Sequence, residues 1–101
     1  MVESNKMAPK TTNDNEIFVG KKTVMYYVMA IVAQFDTGTN DVVVRARGTA
    51  ISHAVDAVEA TRNKYLPDVQ VAKIEIGTDR MQGKHGNMVN VSWIKLFLKR
   101  R

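Results

Sequence analysis

The chain has 101 residues, 45% hydrophobic and 25% charged, which is enough for one domain with a single core but not for two. It contains no cysteine, which excludes disulfides and thiolate metal sites within it, and no apolar run approaches the roughly 18 residues of a membrane helix. The formal charge is +5, and thirteen Lys or Arg stand against eight acids in residues 16–101. We therefore expect a soluble cytoplasmic protein with a polyanionic partner.

The first 15 residues are polar, contain a proline and show no sustained apolar period, so we expect a flexible tail at 1–15 ahead of one domain at 16–101. Residues 16–20 form a short apolar run that predicts a strand ending at a glycine. Thr23 is a suitable N-cap for a helix that begins at Val24. The predicted buried stripe of this helix is Val24, Val28, Ile31 and Phe35.

The middle of the chain predicts a second strand and a second helix. Gly38 ends the first helix, and the triple valine within residues 42–47 is typical of a central strand. A helix is predicted over residues 49–65, because Pro67 cannot continue it. Its predicted apolar face is Ile51, Ala54, Val55, Val58, Arg62 and Tyr65.

The last third predicts two further strands. Alternating valines and isoleucines mark a strand from Val69 to Ile76, and a segment rich in turn formers follows at 78–87. The final strand is predicted at 88–98. The order β-α-β-α-β-β indicates an α+β two-layer domain, in which two helices cover a four-stranded mixed sheet and a long hairpin projects from it.

Two pairs of basic residues follow predicted strands. Lys21 and Lys22 lie between the first strand and its helix, and Arg45 and Arg47 end the next strand. Because the ends of parallel strands meet at one edge of a sheet, we expect the two pairs to be neighbours beside two helix N-termini. This arrangement favours a phosphate ligand. The alternative is a scatter of solubilising charges.

The projecting hairpin carries three further basic or titratable residues: Arg80, Lys84 and His85. Such an arm suits entry into a groove of a nucleic acid, but exposed hairpins are also commonly polar with no partner. In the final strand, Trp93 and Phe97 share one face with Lys95 between them. They are either stacking platforms for unpaired bases or part of a core or dimer interface, and the pattern favours the second interpretation.

Catalytic groups are sparse. His53 and Asp56 are three residues apart on one helical face, but no further histidine or cysteine completes a metal site with them. Neither a P-loop nor a dinucleotide-binding fingerprint is present. The sequence therefore predicts a protein that is not an enzyme and that has no cofactor or metal.

These motifs together resemble the Alba family of small basic archaeal chromatin proteins. The resemblance is carried by Gly-Lys-Lys at 20–22, Ala-Arg-Gly-x-Ala-Ile-Ser at 46–52 and Arg-Asn-x-aromatic-Leu-Pro at 62–67. It extends over roughly residues 15–101 in the same element order.

The resemblance implies a chromosome-associated homodimer that binds double-stranded DNA, and often RNA, without strong sequence preference. The resemblance implies the nucleic-acid contacts Asn15, Lys21, Lys22, Arg45, Arg47, Arg80 and Lys84, and the hairpin pattern adds His85. The resemblance further implies contacts between dimers at Asn63 and Tyr65.

The chain departs from the family pattern at two positions that are frequently basic, where it has Thr49 and His53. Fewer phosphate contacts lower both the affinity and its dependence on salt. We therefore expect weaker DNA binding than in more basic relatives. The alternative function is that of an RNA-binding protein or ribonucleoprotein subunit.

Overall fold

The computed structural model describes residues 15–101, so the predicted tail lies outside the described residues except for Asn15. Within that range, two helices pack on one face of a mixed four-stranded sheet, which confirms the predicted α+β class. Neither helix there is long and apolar enough to cross a membrane. The elements are β1 Glu16–Phe18, α1 Val24–Asp36, β2 Asp41–Arg47, α2 Ile51–Ala60, β3 Val69–Gln82 and β4 Met88–Arg100.

The strand order is β1-β2-β4-β3, with β1 and β2 parallel and the other neighbours antiparallel. In β2, Val42, Val44 and Ala46 are buried beneath the helices, and Arg45 and Arg47 point to the opposite, open face. The predicted central strand is confirmed, although only its helix-facing side is fully buried.

Helix α1 begins where the sequence predicts. The Thr23 side chain caps it by accepting a hydrogen bond from the Tyr26 N–H at 3.3 Å, and Gly38 follows its end with a φ of +101°. Its buried residues are Tyr27, Val28, Ile31 and Phe35. Val24, expected in the buried stripe, lies at the margin of the core. Tyr27 is buried there instead.

Helix α2 has irregular ends. A 3₁₀ turn, Gly48–Ala50, precedes it and a π-helical turn, Thr61–Tyr65, follows it, so the helical segment covers the predicted 49–65. The predicted apolar face is partly wrong. Its last two residues lie in the π turn, which changes the angular step per residue, and Val55 is exposed within the regular part of the helix. Buried positions are Ala54, Ala57, Val58 and Thr61, whereas Val55, Arg62 and Tyr65 are exposed.

The β3–β4 hairpin is longer than predicted. Pairing continues without a break from Thr78 to Gln82, and the turn occupies only residues 83–87, where the Gly83 N–H donates to the Asn87 carbonyl at 2.6 Å. The turn formers within residues 78–82 lie in a paired strand, since cross-strand pairing overrides local propensity.

An irregularity between Val71 and Lys73 resets which way β3 side chains point. It turns Lys73 to the open face and places Ile74 and Ile76 on the helix side of the edge strand. These isoleucines stay 58% and 76% exposed, because the helices do not extend over β3.

Candidate nucleic-acid interface

The two strand-to-helix junctions meet at one end of the sheet, as the parallel pairing of β1 and β2 predicts. They border a shallow cavity of about 430 Å³. Lys21 enters it from the first junction, and Arg47, Thr49 and His53 enter it from the second. We call this region, with Lys22, the sheet end.

The two-lysine loop is held by a buried tyrosine. The Tyr27 hydroxyl accepts hydrogen bonds from the Gly20 N–H at 2.8 Å and the Lys22 N–H at 3.1 Å. Tyr27 is only 3% exposed, so its ring is fixed in the core while its hydroxyl reaches the loop. The loop backbone is therefore ordered before any ligand arrives, which lowers the entropy cost of binding.

A histidine ties the same loop to the second helix. His53 Nε2 lies 3.0 Å from the Lys22 carbonyl oxygen, and since a carbonyl only accepts, the ring nitrogen is the donor. His53 thus contacts the loop and not Asp56, the partner considered from the sequence. Over residues 15–101, no three His, Asp or Glu side chains are grouped as metal ligands.

The cations of the sheet end have no acidic partner among residues 15–101. The Lys22 ammonium lies 5.6 Å from the Tyr26 ring centroid, and the Arg47 guanidinium donates a hydrogen bond to the Met81 sulfur at 3.6 Å. Neither contact neutralises charge. These groups are available for charge-assisted hydrogen bonds to an anion.

Arg45 has a different environment, although it shares a strand face with Arg47. Its guanidinium donates to the Glu16 carboxylate at 3.2 Å and lies 4.8 Å from the Phe18 ring centroid. Its side chain is 33% exposed and that of Glu16 14%. Arg45 therefore cross-links β2 to β1, and it is less available to a ligand than Arg47.

The remaining predicted contact residues lie apart from the sheet end. Arg80 is exposed on β3, and Lys84 and His85 are exposed in the hairpin turn. Asn15 precedes β1, at the opposite end of that strand from Lys21, and its carbonyl accepts from the Val43 N–H at 2.8 Å. The structure does not bring these four residues to the sheet-end cavity.

The residues predicted to join dimers lie in the π turn. Asn63 and Tyr65 are both exposed, and the Tyr65 hydroxyl lies 3.7 Å from the Met25 sulfur of α1. Met25 and Met29 are 46% and 52% exposed. An apolar patch therefore spans the π turn and the outer side of α1.

Sequence reasoning missed Tyr27 as a residue of the site. Its position fits a core stripe, and nothing in the local sequence shows that its hydroxyl reaches back seven residues to Gly20. The available signal is a polar aromatic residue at a core position close to a glycine-containing loop, since a buried tyrosine hydroxyl usually finds a partner.

Comparisons with known proteins identify the family. The family model named Alba matches residues 15–78. A protein named DNA/RNA-binding protein Alba, from Methanocella arvoryzae, is 49% identical over 87 residues, which cover 86% of this chain and 91% of that protein. The structure of Alba from Thermoplasma volcanium is 46% identical, with a TM-score of 0.81 over 85% of this chain and 100% of its own.

A more distant structure shares the fold. ALBA1 from Trypanosoma brucei is 24% identical, with a TM-score of 0.72 over 89% of this chain and 72% of its own. The family model covers more than half of the chain, and the Methanocella relative is well above 30% identical over most of both sequences. The chain therefore belongs to the Alba family.

Proposed function

We propose that the protein is a non-catalytic nucleic-acid-binding protein of chromatin, which binds double-stranded DNA as a homodimer in the cytoplasm, associated with the chromosome. Residues 16–101 form the binding domain. The observation that carries the proposal is the group of cations at the sheet end, Lys21, Lys22 and Arg47, which have no acidic partner among the described residues. Relatives named DNA/RNA-binding proteins support it.

Phosphate contacts supply most of the affinity in this proposal, and groove shape supplies any preference for sequence. The sheet end binds the duplex backbone, and the hairpin, with Arg80, Lys84 and His85, extends the contact along it. Asn15 and Arg45 contribute at the margin. Because phosphates repeat along every duplex, such a surface binds DNA of any sequence.

The proposed homodimer explains the exposed isoleucines. Ile74 and Ile76 lie on the helix side of the edge strand β3, where the domain itself leaves them uncovered. Exposed neighbouring apolar side chains at a sheet edge favour association, since their burial removes apolar surface from water. Two subunits also double the number of phosphate contacts.

Sedimentation of Ile76→Asp tests the dimer. A charge at this position should give monomers at concentrations where the wild type is dimeric. Met29→Asp, which places the same charge at another exposed apolar position, should stay dimeric. A dimeric Ile76→Asp protein would exclude this edge as the interface.

We further propose that DNA binding is weaker than in more basic relatives. Thr49 and His53 border the same cavity as Lys21 and Arg47, so two side chains that are neither Lys nor Arg lie within the basic surface. In a dimer this removes up to four phosphate contacts, which lowers the salt slope by roughly 3.6. A measured slope near roughly −10, as in a many-contact binder, would contradict the proposal.

The function is tested directly by measuring duplex binding by mobility shift at several salt concentrations. The wild type is compared with an Arg45→Ala, Arg47→Ala double variant. The variant should bind more weakly and with a shallower salt slope. Unchanged affinity and slope would show that the duplex binds elsewhere. His53→Ala removes no phosphate contact in this proposal but frees the Lys22 carbonyl, so it should lower the affinity less than the double variant does.

The alternative is an RNA-directed role, as an RNA-binding protein or ribonucleoprotein subunit. The Methanocella relative is named a DNA/RNA-binding protein, which supports this alternative. Competition between labelled duplex DNA and a structured RNA of equal length separates the two functions. Displacement of the DNA by a small excess of RNA would favour the RNA role.

On DNA, we propose that dimers contact one another through the patch around Asn63, Tyr65 and Met25. The methionine side chains adapt to a partner surface, and the tyrosine adds a rigid ring. Tyr65→Ala should reduce cooperativity along a long duplex while leaving affinity for a short, one-dimer duplex unchanged. Equal cooperativity in the variant would exclude the patch.

A further inference from the structure

The open face of the sheet, opposite the helices, alternates aromatic rings with charged side chains. Its pairing places Arg45 beside Lys95, and Arg47 beside Trp93, at matching positions of β2 and β4. Phe18 of β1 pairs with Arg45. The face is thus built from planar rings with cations in the adjacent strand positions.

A groove of about 600 Å³ crosses this face. Phe18 and Arg45 border it on one side, and Trp93 and Lys95 border it on the other. This volume is typical of small-ligand sites, which lie between roughly 300 and 1,000 Å³. The groove walls combine two aromatic rings with two cations, and Arg47 and Asp79 also line it.

The Trp93 ring is held in place by the strand beside it. Gly77 is its cross-strand partner, and a Cβ on Gly77 would collide with three atoms of the indole. The ring therefore lies directly against the glycine backbone, an arrangement that covers a strand glycine with an aromatic ring. The ring also borders the groove, with the Lys95 ammonium 5.5 Å from its centroid, so it offers a fixed ring with a cation beside it.

Charge on the face favours an anion beside the rings. Five cations and four carboxylates lie on the face, and three of the cations have an acidic partner. Glu16 bonds Arg45, Glu75 lies 2.9 Å from the Lys73 ammonium, and Asp41 lies 3.7 Å from the Lys99 ammonium. Lys95 and Arg47 form no ion pair with any residue from 15 to 101. The cations are Arg45, Arg47, Lys73, Lys95 and Lys99, and the carboxylates are Glu16, Asp41, Glu75 and Asp79.

This composition does not suit a protein interface. Interface cores are depleted of charged residues, whereas the three rows of the open face that pass through Trp93, Lys95 and Phe97 each contain at least one cation. The exposed isoleucines on the opposite side of the sheet provide the apolar surface that an interface needs. A ligand that offers both flat apolar rings and negative charge matches the open face.

Unpaired nucleotides have this chemistry. Proteins that bind single strands place bases on aromatic side chains and track the phosphates with cations. We propose that the open face binds a single-stranded nucleic-acid segment, with one base stacked on Trp93 in the groove and the flanking phosphates at Arg47 and Lys95. This surface goes beyond the duplex site proposed above, because bases in an intact duplex are stacked and cannot enter the groove.

The protein provides its own probe, since Trp93 is the only tryptophan. An oligothymidylate of about 12 nucleotides should quench its fluorescence in a saturable way. A duplex of equal length and inorganic polyphosphate, which offers charge without accessible bases, should quench it far less at concentrations where each is bound. Equal quenching by polyphosphate, or no quenching by bound oligothymidylate, would overturn the proposal.

Two variants test the groove, with affinity followed by anisotropy of a labelled oligothymidylate. Trp93→Leu should lose about 10-fold in single-strand affinity, as expected for one lost stacking contact, and should keep its duplex affinity. Phe18→Leu, which removes the other ring of the groove, should also weaken single-strand binding. Phe97→Leu, an aromatic position on the same face outside the groove lining, should change single-strand affinity by less than about twofold. Wild-type affinity in Trp93→Leu would overturn the proposal, and if that variant does not fold, the same result in Phe18→Leu would do so.

Discussion

The sheet end and the open face both take cations from β2, but they present them differently. At the sheet end, Lys21, Lys22 and Arg47 have no acidic partner within residues 15–101, and Tyr27 fixes the loop through its backbone. On the open face, Arg45 is bound to a carboxylate. Two arginines only two residues apart therefore differ in availability, which shows that neighbours across the sheet decide what a surface cation can bind.

The largest expected effect compares two matched double variants. Lys21→Ala with Lys22→Ala removes four charges from the sheet ends of a dimer, which should lower the duplex salt slope by roughly 3.6 and the affinity by at least about 100-fold. Lys73→Ala with Lys95→Ala removes the same charge from the open face. The second pair should change duplex affinity by less than about threefold in the same mobility-shift titration, since neither side chain lines the sheet-end cavity. Equal losses would remove the distinction between the two regions.

A sharper form of the comparison uses the two arginines. Arg47→Ala should reduce the duplex salt slope by roughly 0.9 per subunit, because its guanidinium is available to a phosphate. Arg45→Ala should change the slope less and instead lower the free energy of unfolding by about 1 kcal/mol, since it removes a partly buried ion pair. Urea denaturation and anisotropy on both variants measure the two effects. The reverse assignment would show that the Glu16 pair opens on binding.

A substitution that leaves the charge unchanged tests whether the hydrogen bonds to the two-lysine loop matter for binding. Tyr27→Phe removes the acceptor of two backbone N–H groups, so unfolding should require about 1–2 kcal/mol less free energy, and duplex affinity should fall severalfold. Tyr26→Phe is the matched control, because the Tyr26 hydroxyl makes no hydrogen bond to residues 15–101. Identical behaviour of the two variants would show that the loop needs no anchor.

The smallest effect concerns the pH response of the open face. A hydrogen bond from Lys73 lowers the pKa of the Glu75 carboxyl below its usual 4.5, and the positive charge of Lys95 adds to this. A lowered pKa means that the pair stabilises the fold above pH 4.5 and loses this contribution as pH falls through the folded-state pKa. Lys73→Met should raise the pKa of Glu75 toward 4.5 in a carboxyl NMR titration. An unmoved pKa would exclude Lys73 as its cause.

Much of the fold follows from patterns that are local in sequence. The period of α1, the cap at Thr23 and the glycine after the helix predict its bounds, and the β-α-β order predicts that Lys21 and Arg47 meet. These predictions succeed because they depend on backbone geometry and chain direction. They require no knowledge of which side chains touch.

The rest depends on contacts between distant residues. The Arg45–Glu16 pair follows from strand pairing across 29 residues, and the Tyr27 hydroxyl bonds depend on how far α1 sits from the loop. The face of α2 was wrongly predicted because a π turn has no clear local signal. The groove on the open face likewise depends on distant residues, because it needs Phe18 of β1 and Trp93 of β4 on the two strands that flank β2.

The most direct test of the central claim is an NMR titration of the ¹⁵N-labelled protein with a short duplex. Phosphate binding at the sheet end predicts that the largest amide shifts fall at residues 20–22 and 47–50, with smaller shifts along the hairpin turn 83–87. The same residues should lose their shifts as salt is raised. Largest shifts on the outer side of α1, or on the open face away from Arg47, would contradict the account.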